Sequence, residues 1–237
     1  MKPILLVAFD LDDTLYPERA FVRSGFRVVS EYLLQAGLVT RPLAADFQVA
    51  FEADGSGHVF DRVLTAAGVR CDPALIETLV AVYRSHKLPS GPVRPDIQFY
   101  PDVVPALAGL RDGGLRLGVI SDGPLPAQRT KVEALGVATH VDAVTLTDEW
   151  GRDFWKPHPR AFREMAERMA VPPAACVYVA DNPAKDFDGP AAAGWQASVR
   201  ICRANGLHSD AAPPAQGRIA ASVTDLENLP EVLDRLG

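Results

Sequence analysis

The chain has 237 residues, 48% hydrophobic and 23% charged, with 24 basic against 30 acidic side chains and a formal net charge of -6. This balance excludes intrinsic disorder and fibrous repeats. The acidic surplus argues against a nucleic-acid or anionic membrane partner, and no apolar stretch reaches the roughly 20 residues that span a bilayer. Cys71, Cys176 and Cys202 are too few and too far apart for a disulfide framework or a zinc site, and read as free thiols of a reducing cytoplasm.

Residues 4–9 form a continuous apolar run of strand length, of the kind buried on both faces of a parallel sheet. The run resembles the apolar core of a secretory signal, but Asp10, Asp12 and Asp13 cut it off and no small-residue cleavage site follows. Between about Glu18 and Leu88 no strand pattern occurs, and helices are expected over 21–37, 43–53, 59–67 and 73–87. Pro17 stands before this helical stretch, and Pro89, Pro92, Pro95 and Pro101 stand after it, where proline stiffens a crossing and stops a helix. Beyond it, apolar runs at 115–120, 141–146, 176–180 and 197–202 alternate with segments of helical spacing, such as Val103, Leu107 and Leu110, or Phe162, Met165, Ala166 and Met169. Such alternation predicts an α/β fold with a Rossmann-like parallel sheet and helices on both faces. Residues 204–218 read as an exposed loop before a last short strand and helix. The expected division is an α/β core of 1–16 and 92–237, interrupted by an all-helical insert over 17–91.

The chemistry-bearing residues fall at strand ends. Asp10 and Asp12 follow the first run two residues apart, so on extended chain they point to the same side, at the sheet edge where open α/β folds bind ligands. Ser121, Asp122 and Gly123 follow the second run, Lys156 and Pro157 come after the third, and Asp181 ends the fourth, with Asp186 five residues on. Each alone fits a plainer role. Ser121 suits a helix cap, Lys156 a surface charge, and Asp181 with Asp186 a solvated loop. Their recurrence at successive strand ends points to a site.

In these motifs the chain resembles the haloacid dehalogenase (HAD) superfamily, in which phosphatases predominate. Phe9-Asp10-Leu11-Asp12-Asp13-Thr14-Leu15 is similar to its first motif, Ile120-Ser121-Asp122-Gly123 to its second, Lys156-Pro157 to its third and Val179 to Phe187 to its fourth. The helical insert is similar to the cap of one branch. Asp122 departs from the pattern, since many members carry Asn there. The resemblance implies a magnesium-dependent phosphatase in which Asp10 attacks phosphorus to form an aspartyl-phosphate. Asp12 would protonate the leaving alkoxide and then deprotonate the attacking water. Asp10, the Asp12 carbonyl and Asp181 would hold Mg2+, with Asp186 binding a metal-bound water or orienting the site. Lys156, Ser121, Asp122 and Gly123 would bind the phosphate, and Thr14 would hydrogen-bond the loop in place. The dehalogenase branch lacks the second aspartate, so Asp12 favours phosphoryl transfer.

The implied substrate is a small phosphorylated metabolite such as a sugar phosphate. Arg19, Arg23, His58, Arg62, His86 and Lys87 are the cap residues that would choose it, with Gly25 allowing close approach beside Arg23. A phosphomutase or another hydrolase on the same scaffold, an inactive interaction protein, and a non-enzymatic phospho-accepting signalling domain are the competing readings. Signalling receivers lack a helical insert after the first strand and carry the acceptor aspartate on a later one.

Overall fold

The computed structural model describes residues 3–55, 57–87, 97–215 and 218–237. The described residues fall into two compact units, divided between Glu18 and Arg19 and again before Ile97. The expected second crossing near residue 92, with Pro89, Pro92 and Pro95, lies outside the described residues.

The first unit is built on a six-stranded, all-parallel sheet. Its strands are β1 (Leu6–Phe9), β2 (Arg116–Ser121), β3 (Ala143–Leu146), β4 (Cys176–Ala180), β5 (Ala197–Ile201) and β6 (Ala221–Val223), in the order β3-β2-β1-β4-β5-β6. The first strand of the sequence is thus central, and Phe9 lies opposite both Val119 and Val179. Residues just beyond it therefore sit between the ends of two other strands. Leu6, Ala8, Ile120 and Tyr178 pack with Phe162 and Met165 on one face. Val7, Phe9, Val119 and Val179 alternate to the other face and are equally buried, which is why the strands read as unbroken apolar runs. The connecting helices are α5 (Val103–Asp112), α6 (Leu125–Leu135), α7 (Arg160–Arg168), α8 (Asp188–Ala192) and α9 (Leu229–Leu236). The third strand begins two residues later than its apolar run because Asp142 replaces a ladder partner: its carboxylate accepts from the Leu117 N–H at 2.8 Å.

The second unit is helical: most of α1 (Glu18–Gln35), then α2 (Ala44–Asp54), α3 (Val59–Ala66) and α4 (Pro73–Ser85). Phe26, Phe47, Phe51, Phe60 and Tyr83 make its core, with Phe26–Phe47 and Phe47–Phe60 centroids 5.6 and 5.4 Å apart. Asp72 caps α4 by accepting from the Leu75 N–H at 2.8 Å. A Cβ on Gly25 would collide with the Tyr83 ring, so the close approach this glycine allows is that of α1 to α4.

The loop expected to be exposed over 204–218 is anchored in its first half. The Leu207 N–H donates to Asp13 at 2.7 Å, and the His208 and Ala211 carbonyls accept from Arg200 at 2.9 and 3.0 Å. Gly217, part of that expectation, lies outside the described residues. Among the described residues no helix is long and apolar enough to cross a membrane, and all three cysteines are unbridged.

Candidate active site

The backbone ladder carries Asp10 one residue past β1, its N–H donating to the Val179 carbonyl at 2.9 Å. Lys156 reaches it from the chain after β3. The ammonium is fully buried and donates to Asp10 Oδ1 at 2.6 Å and to the Tyr178 hydroxyl at 3.0 Å. It also lies 2.7 Å from Asp186 Oδ1, an ion-pair contact without hydrogen-bond alignment, which leaves that oxygen buried and otherwise unpartnered. The alternative of Lys156 as a surface charge is excluded by this burial.

Asp10, Asp181 and Asp186 offer carboxylate oxygens within 4.8 Å of one another. Burial pushes Asp181 up to about 9, helped by the neighbouring charges of Asp10 and Asp186. Burial likewise lifts Asp10 to about 6 against the pull of Lys156. Three buried carboxylates outnumber the two lysines whose charge reaches them, Lys156 and Lys185, and one of their oxygens lacks a hydrogen bond. Such a hard-oxygen donor set fits a divalent cation. The Asp12 carboxylate is not part of it, while Asp186 lies within it; its other oxygen accepts from the Asn182 N–H at 3.0 Å.

Asp12 is held on every side. Lys131 donates to its two oxygens at 2.6 and 2.9 Å, Gln128 Nε2 donates to Oδ2 at 3.1 Å, and the Tyr16 hydroxyl donates to Oδ1. Burial works to raise its pKa, but the charge of Lys131 and these hydrogen bonds prevail and leave it below the ordinary value. Asp13, at φ 49°, accepts from the N–H groups of Glu18 and Leu207 at 2.9 and 2.7 Å and so closes the loop. Thr14 departs from expectation. Its hydroxyl is buried without a partner, and it is its carbonyl that fixes the loop, by accepting from Arg203 at 2.9 and 3.1 Å.

Ser121 is buried and donates to Gln128 Oε1 at 3.1 Å. Gly123 stands at φ 127°, where a Cβ would lie 2.5 Å from Gln128 Nε2, so both backbone and space require glycine. The charge of Asp122 is absorbed locally. Its Oδ1 accepts from the Thr147 hydroxyl at 2.6 Å and the Lys156 N–H at 3.2 Å, and its Oδ2 lies 3.5 Å from Lys185.

In the helical unit the candidates are dispersed. Arg23 and Lys87 are exposed, Arg19 lies 3.9 Å from Glu52, and His58 is exposed 3.6 Å from Asp61. The Arg62 guanidinium is spent on the carbonyls of Ala50, Gly55 and Gly57. His86 is buried against Phe21 and Tyr83, with Nε2 2.7 Å from the Ser24 hydroxyl. Arg62 and His86 therefore hold the helices of this unit together.

The profile of the haloacid dehalogenase-like hydrolase family matches residues 4–194. The chain belongs to that family. Among relatives of this hydrolase, the glyceraldehyde 3-phosphate phosphatase of Methanopyrus kandleri is 34% identical over 216 residues, covering 89% of this chain and 88% of the relative. The enzyme of the same name from Methanocaldococcus jannaschii is 32% identical, covering 83% and 84%. A solved 2-haloacid dehalogenase from Pseudomonas syringae superposes with a TM-score of 0.65 at 27% identity, covering 99% of this chain and 100% of that one.

Gln128, Lys131, Tyr16, Tyr178 and Lys185 are side chains of this hydrolase's site that sequence reasoning passed over. A signal existed for two of them. The buried face of α6 reads Ala127, Gln128, Lys131, Leu135, with two polar residues where an apolar stripe is expected.

Proposed function

We propose that this hydrolase is a phosphatase for a small sugar phosphate, glyceraldehyde 3-phosphate or one of similar size, working through Asp10 as nucleophile. The observation that carries the reading is the division of labour between two carboxylates on one loop. Asp10 sits among the acidic cluster and Lys156, whereas Asp12 stands outside the cluster on its own set of donors.

In the proposed reaction, Lys156 orients the Asp10 carboxylate and offsets charge on the incoming phosphate, and the N–H groups of Asp122 and Gly123 hold the phosphate oxygens, joined by the Ser121 hydroxyl as it turns from Gln128. An Asp10 oxygen bonds to phosphorus as the ester P–O bond breaks, and Asp12, having taken up a proton from solvent as the substrate binds, passes it to the departing alkoxide. Asp12 then removes a proton from water, which attacks the aspartyl-phosphate, releases inorganic phosphate and frees Asp10. When held by Asp10, Asp181 and Asp186, a divalent cation, proposed to be Mg2+, supplies the charge that lets two anions meet. The helical unit is proposed as a cap of the kind the family resemblance implies. Arg23 and His58 are then the candidates for substrate choice.

The full-length likeness to a 2-haloacid dehalogenase makes dehalogenation the second reading. Halide leaves without a proton, however, and such a reaction has no use for a carboxylate braced as Asp12 is. Phosphate release from glyceraldehyde 3-phosphate and chloride release from 2-chloropropionate, assayed side by side with Mg2+, decide between them. Phosphate release lost in Asp10→Asn supports the proposal. Chloride release without phosphate release overturns it.

A further inference from the structure

Lys131 is buried to 5% exposure at its side chain, and the Asp12 side chain it meets to 17%. Burying such a pair costs desolvation on both partners, and apolar residues of similar volume are often as stable in its place. Stability alone is therefore a poor account of it. The contacts suggest another. Gln128 and Lys131 stand three residues apart on one face of α6. The Gln128 amide is fully committed: Oε1 accepts from Ser121, and Nε2 donates to the Asp122 carbonyl at 2.6 Å and to Asp12 at 3.1 Å. One side chain thus joins the hydroxyl and backbone proposed to hold phosphate to the carboxylate proposed to serve the leaving group. Lys131 grips both oxygens of that carboxylate, which stops it turning about its terminal bond.

We propose that Gln128 and Lys131 are the positioning pair for Asp12, setting its distance and rotation relative to the phosphate pocket. The proposal rests on the phosphatase reading. The pair touches neither nucleophile nor cluster, and the Lys131 ammonium hydrogen-bonds both oxygens of Asp12, so losing that ammonium should fall on the steps in which Asp12 moves a proton. A misplacement of about 1 Å in such a group costs on the order of 10²-fold in rate.

The test compares leaving groups. 4-Nitrophenolate departs without a proton, whereas the alkoxide of glyceraldehyde 3-phosphate needs one. In Lys131→Met, turnover of the sugar phosphate should fall roughly 10²-fold or more, the usual worth of a general acid. Formation of the aspartyl-phosphate from 4-nitrophenyl phosphate should fall by less than about tenfold, giving a burst of nitrophenolate as the water step becomes limiting. In the Asp12→Asn background, adding Lys131→Met should change the rate by no more than about twofold, since a residue acting through another has nothing left to act on. Gln128→Leu, which also releases Ser121, should lose turnover on both substrates, and where Lys131→Met does not fold, the comparison is read on Lys131→Gln with and without Asp12→Asn.

In the Lys131 variant, equal losses on both substrates with no burst, or additive losses with Asp12→Asn, overturn the positioning role. A wild-type protein that releases no phosphate from either ester overturns the phosphatase reading instead, so the two failures are distinct.

Discussion

Asp122 is where the second motif departs from the asparagine common in its family, and the structure shows what its charge meets. One oxygen takes the Thr147 hydroxyl and the Lys156 N–H, contacts an asparagine carbonyl could reproduce. The other faces Lys185 across 3.5 Å, a contact an asparagine amide could not replace. Asp122→Asn should therefore leave folding nearly unchanged, removing one negative charge beside the proposed phosphate pocket and freeing one positive one. Inorganic phosphate should inhibit the variant up to about tenfold more tightly, a modest electrostatic gain for a partly screened pair. A competitive inhibition constant measured against 4-nitrophenyl phosphate checks this, and weaker inhibition would contradict it. Lys185 itself was not legible in the sequence, because nothing in the spacing of Asp181 to Asp186 says which way an intervening side chain turns. Asp10, Ser121, Lys156, Asp181 and Asp186 were legible for the opposite reason: each follows a buried strand, and parallel strands deliver their carboxyl ends to one edge. Gln128 and Lys131 enter from the middle of a helix, where only the polar break in a buried face marks them.

The elements followed their apolar patterns closely where a core face was at stake. Helices α2, α3 and α4 lie within two residues of their expected ends, since Phe47, Phe51, Phe60 and Leu79 set the spacing. The segment after β5 is a loop before a short strand and helix, as expected, but its anchoring was not legible because its composition, with Gly206, Pro213 and Pro214, signals turns and not partners. Its hydrogen bonds run to Asp13, distant in sequence, and to the Arg200 guanidinium on the strand before it, neither of them marked by local pattern. In the helical unit the same reasoning separates two neighbours on α2. Phe47 is fully buried between Phe26 and Phe60, and Phe47→Ala should cost about 3–5 kcal/mol. Val49, 67% exposed two residues on, should tolerate Val49→Ser within roughly 0.5 kcal/mol. Urea denaturation of the two variants tests the assignment, and similar midpoints for both would refute it.

Over the whole molecule, the net charge of -6 conceals a local cluster of three buried carboxylates, Asp10, Asp181 and Asp186. Asp10 at about 6 and Asp181 at about 9 both lie above the ordinary carboxylate value of 3.8. Through these two groups the folded, cation-free protein binds more protons than the unfolded chain between roughly pH 4 and 9, and by linkage their contribution to stability falls as pH rises through that window. A divalent cation reverses the sign, because it binds the ionised carboxylates of the folded state and has no such site in the unfolded one. At a concentration 100 times its dissociation constant it should add about 2.7 kcal/mol, or roughly 5–10 °C in Tm for a chain of this size. The gain should be largest near pH 8 and shrink towards pH 5, where protons compete for the same oxygens. Asp181→Asn removes the carboxylate raised furthest. In chelator it should melt above wild type at pH 8 and close to it at pH 4, and it should lose most of the response to Mg2+. Thermal scans at these pH values, with chelator and with Mg2+, read both effects at once. A wild-type Tm at pH 8 indifferent to the cation would mean the three carboxylates are not a metal site.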